Sequence, residues 1–141
     1  MFKILMICVM FLFTMGCSGE SKNESITKGI VKTELLPATA YKDIVPNIGT
    51  TPMLLEFGAS SCAACITMGK ILAQIKAEYP KSAIYFIEVY ADMPVARNYQ
   101  IQMIPTQIYL DAKGNEIERH MGEIGYAQLV ANLKSKNIIK E

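Results

Sequence analysis

Two cysteines separated by two residues are the side chains of this sequence best suited to chemistry. Cys62 and Cys65 enclose Ala63-Ala64, follow the apolar run Met53–Phe57, and begin a stretch with apolar residues at helical spacing. A strand that turns into a helix here would place both thiols on one helical turn, close enough to form a disulfide. The unpaired N–H groups and the dipole at the helix N-terminus would stabilise a thiolate on Cys62. Because the thiolate is the reactive form, Cys62 is predicted to be the nucleophile and Cys65 the resolving thiol.

Three other interpretations of the cysteine pair are open at the level of sequence. A zinc site needs four ligands, usually from two such pairs, and the chain adds a single histidine, His120, far along the sequence. A structural disulfide would close a very short loop and therefore stabilise little. Two inert thiols would also fit, since free cysteine is often buried. Redox chemistry is favoured over these, no metal site is predicted, and His120 is expected to be a surface residue of a hairpin.

The remaining pattern predicts alternating helices and strands in the order α-β-α-β-α-β-β-α. The helix that carries the cysteines is expected to end near Tyr79, before Pro80. The run Ala83–Tyr90 is almost continuously apolar, which is typical of a central strand buried on both faces. The other predicted elements are helices at 39–48, 94–100 and about 126–136, and strands at 53–58, 106–110 and 116–121, the last two joined by a turn at 111–115.

Residues 1–16 are predicted to be a signal peptide. A charged start with Lys3 precedes the unbroken apolar stretch Ile4–Phe13, which is too short for a membrane span of about 20 residues. Thr14-Met15-Gly16-Cys17 resembles the lipobox of bacterial lipoproteins, in which Cys17 would be lipidated, although leucine is usual where Thr14 stands. A plain cleaved secretory signal is the alternative, but it would leave Cys17 as an odd thiol in an oxidising compartment.

The rest of the chain is predicted to be one tethered domain. The whole sequence of 141 residues allows one domain of ordinary size, and its net charge of +1 without a basic run argues against binding to nucleic acid. Residues 18–32 are polar without a sustained apolar period, and the segment 17–36 is expected to form a flexible tether. The domain is therefore expected to cover residues 37–141, with Cys17 as its lipid anchor in a membrane.

The domain resembles the thioredoxin superfamily over most of its length. Leu55–Cys62 is similar to the family's strand leading into the active site, Cys62-Ala63-Ala64-Cys65 to its CxxC motif, and Ile104-Pro105-Thr106 to its cis-proline loop. Gly114-Asn115-Glu116, followed by Gly122, resembles its final hairpin. The resemblance implies an α/β, thioredoxin-like fold in which a central mixed β-sheet is flanked by helices.

The same resemblance assigns roles to residues around the dithiol. It implies that Glu56 is a buried acid that exchanges protons with Cys65, although an acid in an apolar strand can also reach the surface. It implies a cis bond before Pro105, which would place the backbone of Ile104 beside the dithiol, where a substrate's extended chain can bind; Gly122 is expected at the same surface. An ordinary trans proline is the alternative.

The sequence departs from the family's usual pattern close to the cysteines. Ser61 stands where a tryptophan usually precedes the first cysteine, and Ala63-Ala64 replaces the usual Gly-Pro. Glu88 falls where a basic residue often neighbours the buried acid. Two carboxylates there would repel each other and raise one pKa, unless Glu88 faces solvent. The tuning of the thiols is therefore expected to differ from the family's pattern more than the fold does.

The function predicted from these features is reduction of protein disulfides on the periplasmic side of a bacterial cell envelope. The Cys62 thiolate would attack a substrate disulfide and Cys65 would resolve the mixed disulfide, forming a Cys62–Cys65 disulfide without a dissociable cofactor. A membrane electron-donor protein is expected to restore the dithiol. The alternatives are an oxidase or isomerase of the same fold, and a copper(I) carrier that holds the metal on both thiolates.

Overall fold

A computed structural model describes residues 34–140, which form four α-helices and four strands. The elements are α1 (Tyr41–Ile44), continued by a 3-10 turn at Val45–Asn47, β1 (Met53–Gly58), α2 (Ala63–Glu78), β2 (Ile84–Glu88), α3 (Met93–Asn98), β3 (Thr106–Leu110), β4 (Glu116–Met121) and α4 (Tyr126–Ser135). The predicted order is confirmed. The predicted signal peptide, lipidation of Cys17 and most of the predicted tether lie outside the described residues. Within residues 34–140, no helix is long and apolar enough to span a membrane.

The four strands form one mixed sheet in the order β2-β1-β3-β4. β1 runs parallel to β2 and antiparallel to β3, and β3 runs antiparallel to β4. This topology confirms the mixed sheet that the resemblance implied. It also puts β1 in the interior of the sheet, where all six of its residues are buried. The strand that leads into Cys62 is therefore fixed on both edges and both faces.

The prediction that Ala83–Tyr90 forms a central strand is wrong, because β2 lies at an edge of the sheet. Three of its residues are nevertheless buried. Ile84 and Phe86 point to one face of the sheet and Ile87 points to the other, and both faces are covered. The chain before α1 covers part of the edge, since the Thr39 N–H donates to the Phe86 carbonyl oxygen at 2.7 Å beside an isolated parallel bridge at Ala38. The apolar run thus reflects two covered faces and not a central position.

Helices cover both faces of the sheet. α2 and α4 pack on the face that carries Leu54, Ile84 and Tyr109, and their buried side chains there are Met68, Leu72, Ile75, Leu129 and Leu133. α1 and α3 pack on the opposite face, which carries Leu55, Phe57, Ile87 and Ile108. Because side chains alternate along β1, Glu56 points to the same face as Leu54, beneath α2. The acid and the cysteine helix are therefore on one side of the sheet.

The residues just before α1 pack on α2. The Leu36 N–H donates to the Gly69 carbonyl oxygen at 3.0 Å, and the Leu36 side chain packs against the buried cluster. A Cβ at Gly69 would lie 3.3 Å from Cδ2 of Leu35, so the absence of a side chain permits this close approach. Contacts with the domain thus begin within the last residues of the segment 17–36 that was predicted to be a tether.

Candidate active site

Cys62 caps the N-terminus of α2. Its backbone is extended, with φ −97° and ψ 120°, and its Sγ accepts a hydrogen bond from the Cys65 N–H at 3.3 Å. Sulfur here takes the place of the oxygen that caps most helices and satisfies one of the unpaired N–H groups of the first turn. Ala63 and Ala64 favour helix and keep that turn regular. The N–H group and the helix dipole therefore stabilise negative charge on the Cys62 sulfur.

Cys65 lies one turn further along α2 and is only 1% exposed, whereas Cys62 is half-buried. Both are free thiols, and their Sγ atoms are 2.6 Å apart. Burial, followed by the hydrogen bond to Cys62, raises the pKa of Cys65 to about 12. Cys65 therefore stays protonated at neutral pH. The pair combines a half-buried sulfur that accepts a backbone N–H with a buried sulfur that is held as a thiol.

Gly58, at the end of β1, allows Cys65 to pack directly on the sheet. A Cβ at this position would lie 2.7 Å from Cε2 of Phe86 and 3.2 Å from Cβ of Cys65. The first separation is shorter than packed carbon atoms tolerate and the second is tight, so a side chain would require the Phe86 ring to move and Cys65 to shift. Gly58 was not among the predicted site residues. An isolated glycine inside a strand pattern, which indicates a close approach, is the signal that could have found it.

Glu56 is fully buried, so the prediction of a buried acid is confirmed and the surface alternative is wrong. Burial raises the pKa of Glu56 to about 8, even though a hydrogen bond from Gln107 acts in the opposite direction. The carboxyl is therefore mostly protonated at neutral pH. It also lies close enough to the dithiol for its ionised form to contribute to the raised pKa of Cys65. The structure thus brings Glu56 and the cysteines together.

Gln107 on β3 is a site residue that sequence reasoning missed. It is fully buried, and its Nε2 donates to Glu56 Oε1 at 3.1 Å and to the Gly122 carbonyl oxygen at 3.3 Å. Glu56 and Gln107 are direct cross-strand partners in the antiparallel pair of β1 and β3. A polar residue in an apolar strand was the available signal. Its partner could not be named without the register between strands that are about fifty residues apart.

The loop before β3 confirms a second prediction, because the Ile104–Pro105 peptide bond is cis. Pro105 is buried and Ile104 is half-buried. The Gly122 N–H donates to the Pro105 carbonyl oxygen at 2.8 Å, and Gly122 has φ +97°, which favours glycine. Ile104 and Cys62 pack against the same buried cluster. The three predicted substrate-binding residues therefore lie together where β3 begins and β4 ends, and their role in binding a substrate stays a prediction.

Two methionines extend this surface. Met103 precedes Ile104 and is 49% exposed, and Met121 precedes Gly122 and is 53% exposed. Met121 is paired with Thr106 across β3 and β4, and the Met103 carbonyl oxygen accepts a hydrogen bond from Thr106 Oγ1 at 2.7 Å. Flexible, polarisable methionine side chains suit apolar surfaces that adapt to several partners. The site therefore has an apolar rim beside the proline loop.

Glu88 does not act on Glu56 in the way the sequence suggested. The half-buried Glu88 carboxylate accepts a hydrogen bond from the Ser60 N–H through Oε2 at 2.7 Å. The pKa of Glu56 is raised by burial and not by repulsion from this second carboxylate. Glu88 therefore holds the loop that leads into Cys62.

His120 lies on the hairpin as a half-buried residue, with Nε2 3.2 Å from the Glu123 carbonyl oxygen. It is the cross-strand partner of Gln107 on β4, and so it belongs to the row of side chains that contains Glu56. Within the described part of the chain, no group of three or more His, Cys, Asp or Glu residues is placed to hold a metal ion.

The strand order and the cysteine helix together define a protein of thioredoxin-like fold. The Thioredoxin family model matches residues 32–135, and the chain belongs to this family. It is similar to the thiol:disulfide interchange protein TxlA of Synechococcus elongatus, with 32% identity over 68% of this chain and 51% of that protein. It is also 26% identical to the bifunctional thioredoxin reductase/thioredoxin of Mycobacterium leprae, over 81% of this chain and 23% of that one. The chain thus spans about half of the first relative and about a quarter of the second.

Solved structures support the same fold. Thioredoxin of Fasciola hepatica superposes with a TM-score of 0.59 at 21% sequence identity, covering 68% of this chain and 89% of that one. At this level of sequence identity the likeness concerns the fold alone.

Proposed function

We propose that this protein is an extracytoplasmic thiol–disulfide oxidoreductase that reduces protein disulfides through Cys62 and Cys65. The observation that carries the proposal is the difference between two adjacent thiols. The Cys62 sulfur accepts the Cys65 N–H at the start of α2, whereas Cys65 is buried and burial raises its pKa to about 12. A stabilised thiolate is suited to attack a disulfide, and a buried thiol behind it is suited to resolve the product.

The reaction consists of two thiol exchanges. The Cys62 thiolate attacks one sulfur of a substrate disulfide, the substrate S–S bond breaks, and the other substrate sulfur leaves as a thiolate. Cys65 then loses its proton and attacks the Cys62 sulfur. This step breaks the mixed disulfide, releases the second substrate thiolate and forms the Cys62–Cys65 disulfide. The substrate gains two electrons and the dithiol loses two.

Glu56 acts as the base for Cys65 and later returns the proton. A thiol whose pKa is raised to about 12 needs an acceptor to become a nucleophile near neutral pH. The pKa of Glu56, raised to about 8 by burial, lies close enough to neutrality for its carboxyl both to accept and to donate a proton. The influence of its charge on Cys65 supports this pairing.

The substrate chain binds at the loop of Ile104 and Pro105 and at Gly122. The exposed side chains of Met103 and Met121 flank these residues and supply apolar contact. The Gly122 N–H already donates to the Pro105 carbonyl oxygen. Gly122 therefore contributes through its positive φ and the absence of a side chain, and not as a donor to the substrate.

Trapping with cysteine variants tests the reaction. Cys62→Ser is expected to abolish reduction of a disulfide-bonded test protein, whereas Cys65→Ser should accumulate a covalent mixed disulfide with it, visible by non-reducing electrophoresis. The matched control is the double variant, which should capture nothing. Capture by Cys62→Ser alone would reverse the roles. Absence of capture, together with copper that co-purifies with the wild type but not with the double variant, would indicate a copper(I) carrier instead.

The extracytoplasmic location rests on residues 1–16 and Cys17 alone. In this proposal Cys17 carries a lipid, the domain faces the periplasm, and a membrane electron-donor protein restores the dithiol after each turnover. Mass spectrometry of the mature N-terminus is expected to find an acylated Cys17. In the Cys17→Ser variant the protein should leave the membrane fraction. A free N-terminus at Ser18 or beyond in the wild type would contradict the anchor.

A further inference from the structure

We propose that Gln107 is a positioning residue that leaves Oε2 of Glu56 as the atom that exchanges a proton with Cys65. The inference rests on the thiol exchange proposed above and adds a residue to it. Its basis is the buried side-chain amide of Gln107, which donates hydrogen bonds both to the Glu56 carboxyl and to the carbonyl oxygen of Gly122 at the end of the hairpin.

The orientation of the Gln107 amide follows from its neighbours. Its side-chain atom near Gly122 lies 3.3 Å from a backbone carbonyl oxygen, which can only accept a hydrogen bond. That atom must therefore be Nε2. Its second hydrogen is donated to Glu56 Oε1 at 3.1 Å. Because Gln107 is fully buried between its cross-strand neighbours on β1 and β4, this arrangement is held by the sheet.

The two oxygens of the Glu56 carboxyl are thereby made unequal. Oε1 accepts a hydrogen bond from Gln107 Nε2. When the carboxyl is protonated, its proton is therefore carried by Oε2. Oε2 is buried, and no hydrogen-bond partner for it is found among residues 34–140. Cys65 on α2 packs over Gly58, which lies two residues beyond Glu56 on the same face of β1, and the Glu56 charge is the last of the causes that raise the pKa of Cys65. A buried acid with one oxygen occupied and one free presents a single proton site to that thiol.

Other titratable groups lie around the cross-strand row of Glu56 and Gln107, and variants of two of them serve as controls. On β3, burial raises the pKa of Tyr109 above its ordinary value, so this phenol stays neutral, and Lys136 after α4 lies over its ring. On β2, Glu88 is bound to the Ser60 N–H. On β4, His120 is the cross-strand partner of Gln107. The variants His120→Gln and Glu88→Gln each remove one of these ionisable groups and leave Glu56 in place.

The first measurement follows the Glu56 carboxyl directly, by carbon-detected NMR of the full-length protein between pH 5 and pH 10. The hydrogen bond from Gln107 lowers the pKa of Glu56, so its loss in Gln107→Leu should move the titration midpoint upward by about one pH unit. Gln107→Met serves as a second variant if the first fails to fold. His120→Gln and Glu88→Gln should leave the midpoint unchanged.

The second measurement isolates the step of Cys65. A chromogenic aromatic thiol is attached to Cys62 as a mixed disulfide, and its release by Cys65 is followed in a single turnover as a function of pH. In Gln107→Leu the release at pH 7 should be roughly tenfold slower, since fewer Glu56 carboxyls are ionised, and the midpoint of the pH profile should rise with the NMR midpoint. Glu56→Gln should abolish that pH step.

The outcomes separate this inference from the proposed function. An NMR midpoint that stays in place or falls in both Gln107 variants would overturn the inference. It would also be overturned by a midpoint that rises while the release profile stays unchanged, because Gln107 would then affect Glu56 without affecting Cys65. A wild type that resolves the chromogenic disulfide but reduces no protein disulfide would instead refute the proposed function and leave the assignment of Gln107 intact.

Discussion

Glu56 connects the chemistry of single residues to the stability of the fold. Burial raises its pKa from the ordinary value of 4.5 to about 8, so the folded chain keeps a proton that the unfolded chain releases between these pH values. The unfolding free energy therefore falls as the pH rises through this window. The contribution is fully present below pH 4.5 and is lost once the pH passes about 8. A shift of this size corresponds to about 5 kcal/mol as an upper bound.

Glu56→Gln is expected to remove most of this pH dependence. The neutral amide has the same shape and cannot ionise, so the variant should be more stable than the wild type by a few kcal/mol at pH 9, with a much smaller difference at pH 5. Denaturant unfolding at both pH values measures the effect. Glu123→Gln, which changes an exposed carboxylate on the hairpin side, is the control and should preserve the wild-type slope. Equal slopes in wild type and Glu56→Gln would contradict the account.

Gly58→Ala tests the close packing of the dithiol helix on β1. The added Cβ would lie 2.7 Å from the Phe86 ring and 3.2 Å from Cβ of Cys65, so we expect a loss of about 1–3 kcal/mol in unfolding free energy. Gly125→Ala is the matched control, since φ is −69° there and a Cβ would meet no atom within 4 Å. Thermal or denaturant unfolding compares the two. A loss at Gly58 no larger than at Gly125 would show that the helix can shift without cost.

At the scale of elements, the hairpin of β3 and β4 depends on its turn. Asp111 Oδ1 accepts hydrogen bonds from the N–H groups of Lys113 and Asn115 at 2.8 and 2.9 Å, and Gly114 has φ +85°. A Cβ at Gly114 would lie 2.9 Å from Cγ2 of Ile48. Both the backbone conformation and the packing against the segment after α1 therefore exclude a side chain.

Gly114→Ala should lower the unfolding free energy by about 2–4 kcal/mol, because it combines an unfavourable φ with a steric contact. Gly122→Ala separates the two effects, since Gly122 has φ +97° but open space around a Cβ, and about 1–2 kcal/mol is expected there. The comparison is made by chemical denaturation of both variants. If the two losses are equal, contact with Ile48 contributes nothing.

The elements also show what local sequence patterns can and cannot predict. The bounds of β1, β3 and β4 were predicted correctly because their composition and turn residues are local signals. The prediction that β2 is a central strand was wrong, since an apolar run indicates that both faces of a strand are covered and does not indicate how many strands lie beside it. Cys62 and Cys65 followed from their spacing at the start of a predicted helix, whereas the roles of Glu56 and of the cis bond before Pro105 followed from a family resemblance. Gln107 was missed because its role depends on the register between β1 and β3.

For the whole molecule, the direction of the redox reaction depends on how the fold stabilises the reduced dithiol against the disulfide. At the N-terminus of α2 the Cys65 N–H donates to the Cys62 sulfur, and a donor in this place favours the reduced dithiol over the disulfide, which makes the couple more oxidising. Ionised Glu56 disfavours thiolates nearby and would oppose this effect. Burial raises the pKa of Glu56 to about 8, so this opposition is small at neutral pH and grows in alkaline solution. Glu88, which is bound to the Ser60 N–H, adds a further negative charge beside the loop.

These opposing effects predict a reduction potential between those of strong reductases and strong oxidases, roughly −270 to −200 mV. In an oxidising compartment such a couple stays reduced only if a donor recharges it, which is the role proposed for a membrane electron-donor protein. Equilibration of the Cys62–Cys65 pair with glutathione or dithiothreitol mixtures at pH 7 measures the potential, and alkylation of intact cells reports the state in vivo. A potential near −120 mV, typical of a strong oxidant, or a predominantly disulfide form in cells, would identify an oxidase and refute reduction as the direction of the reaction.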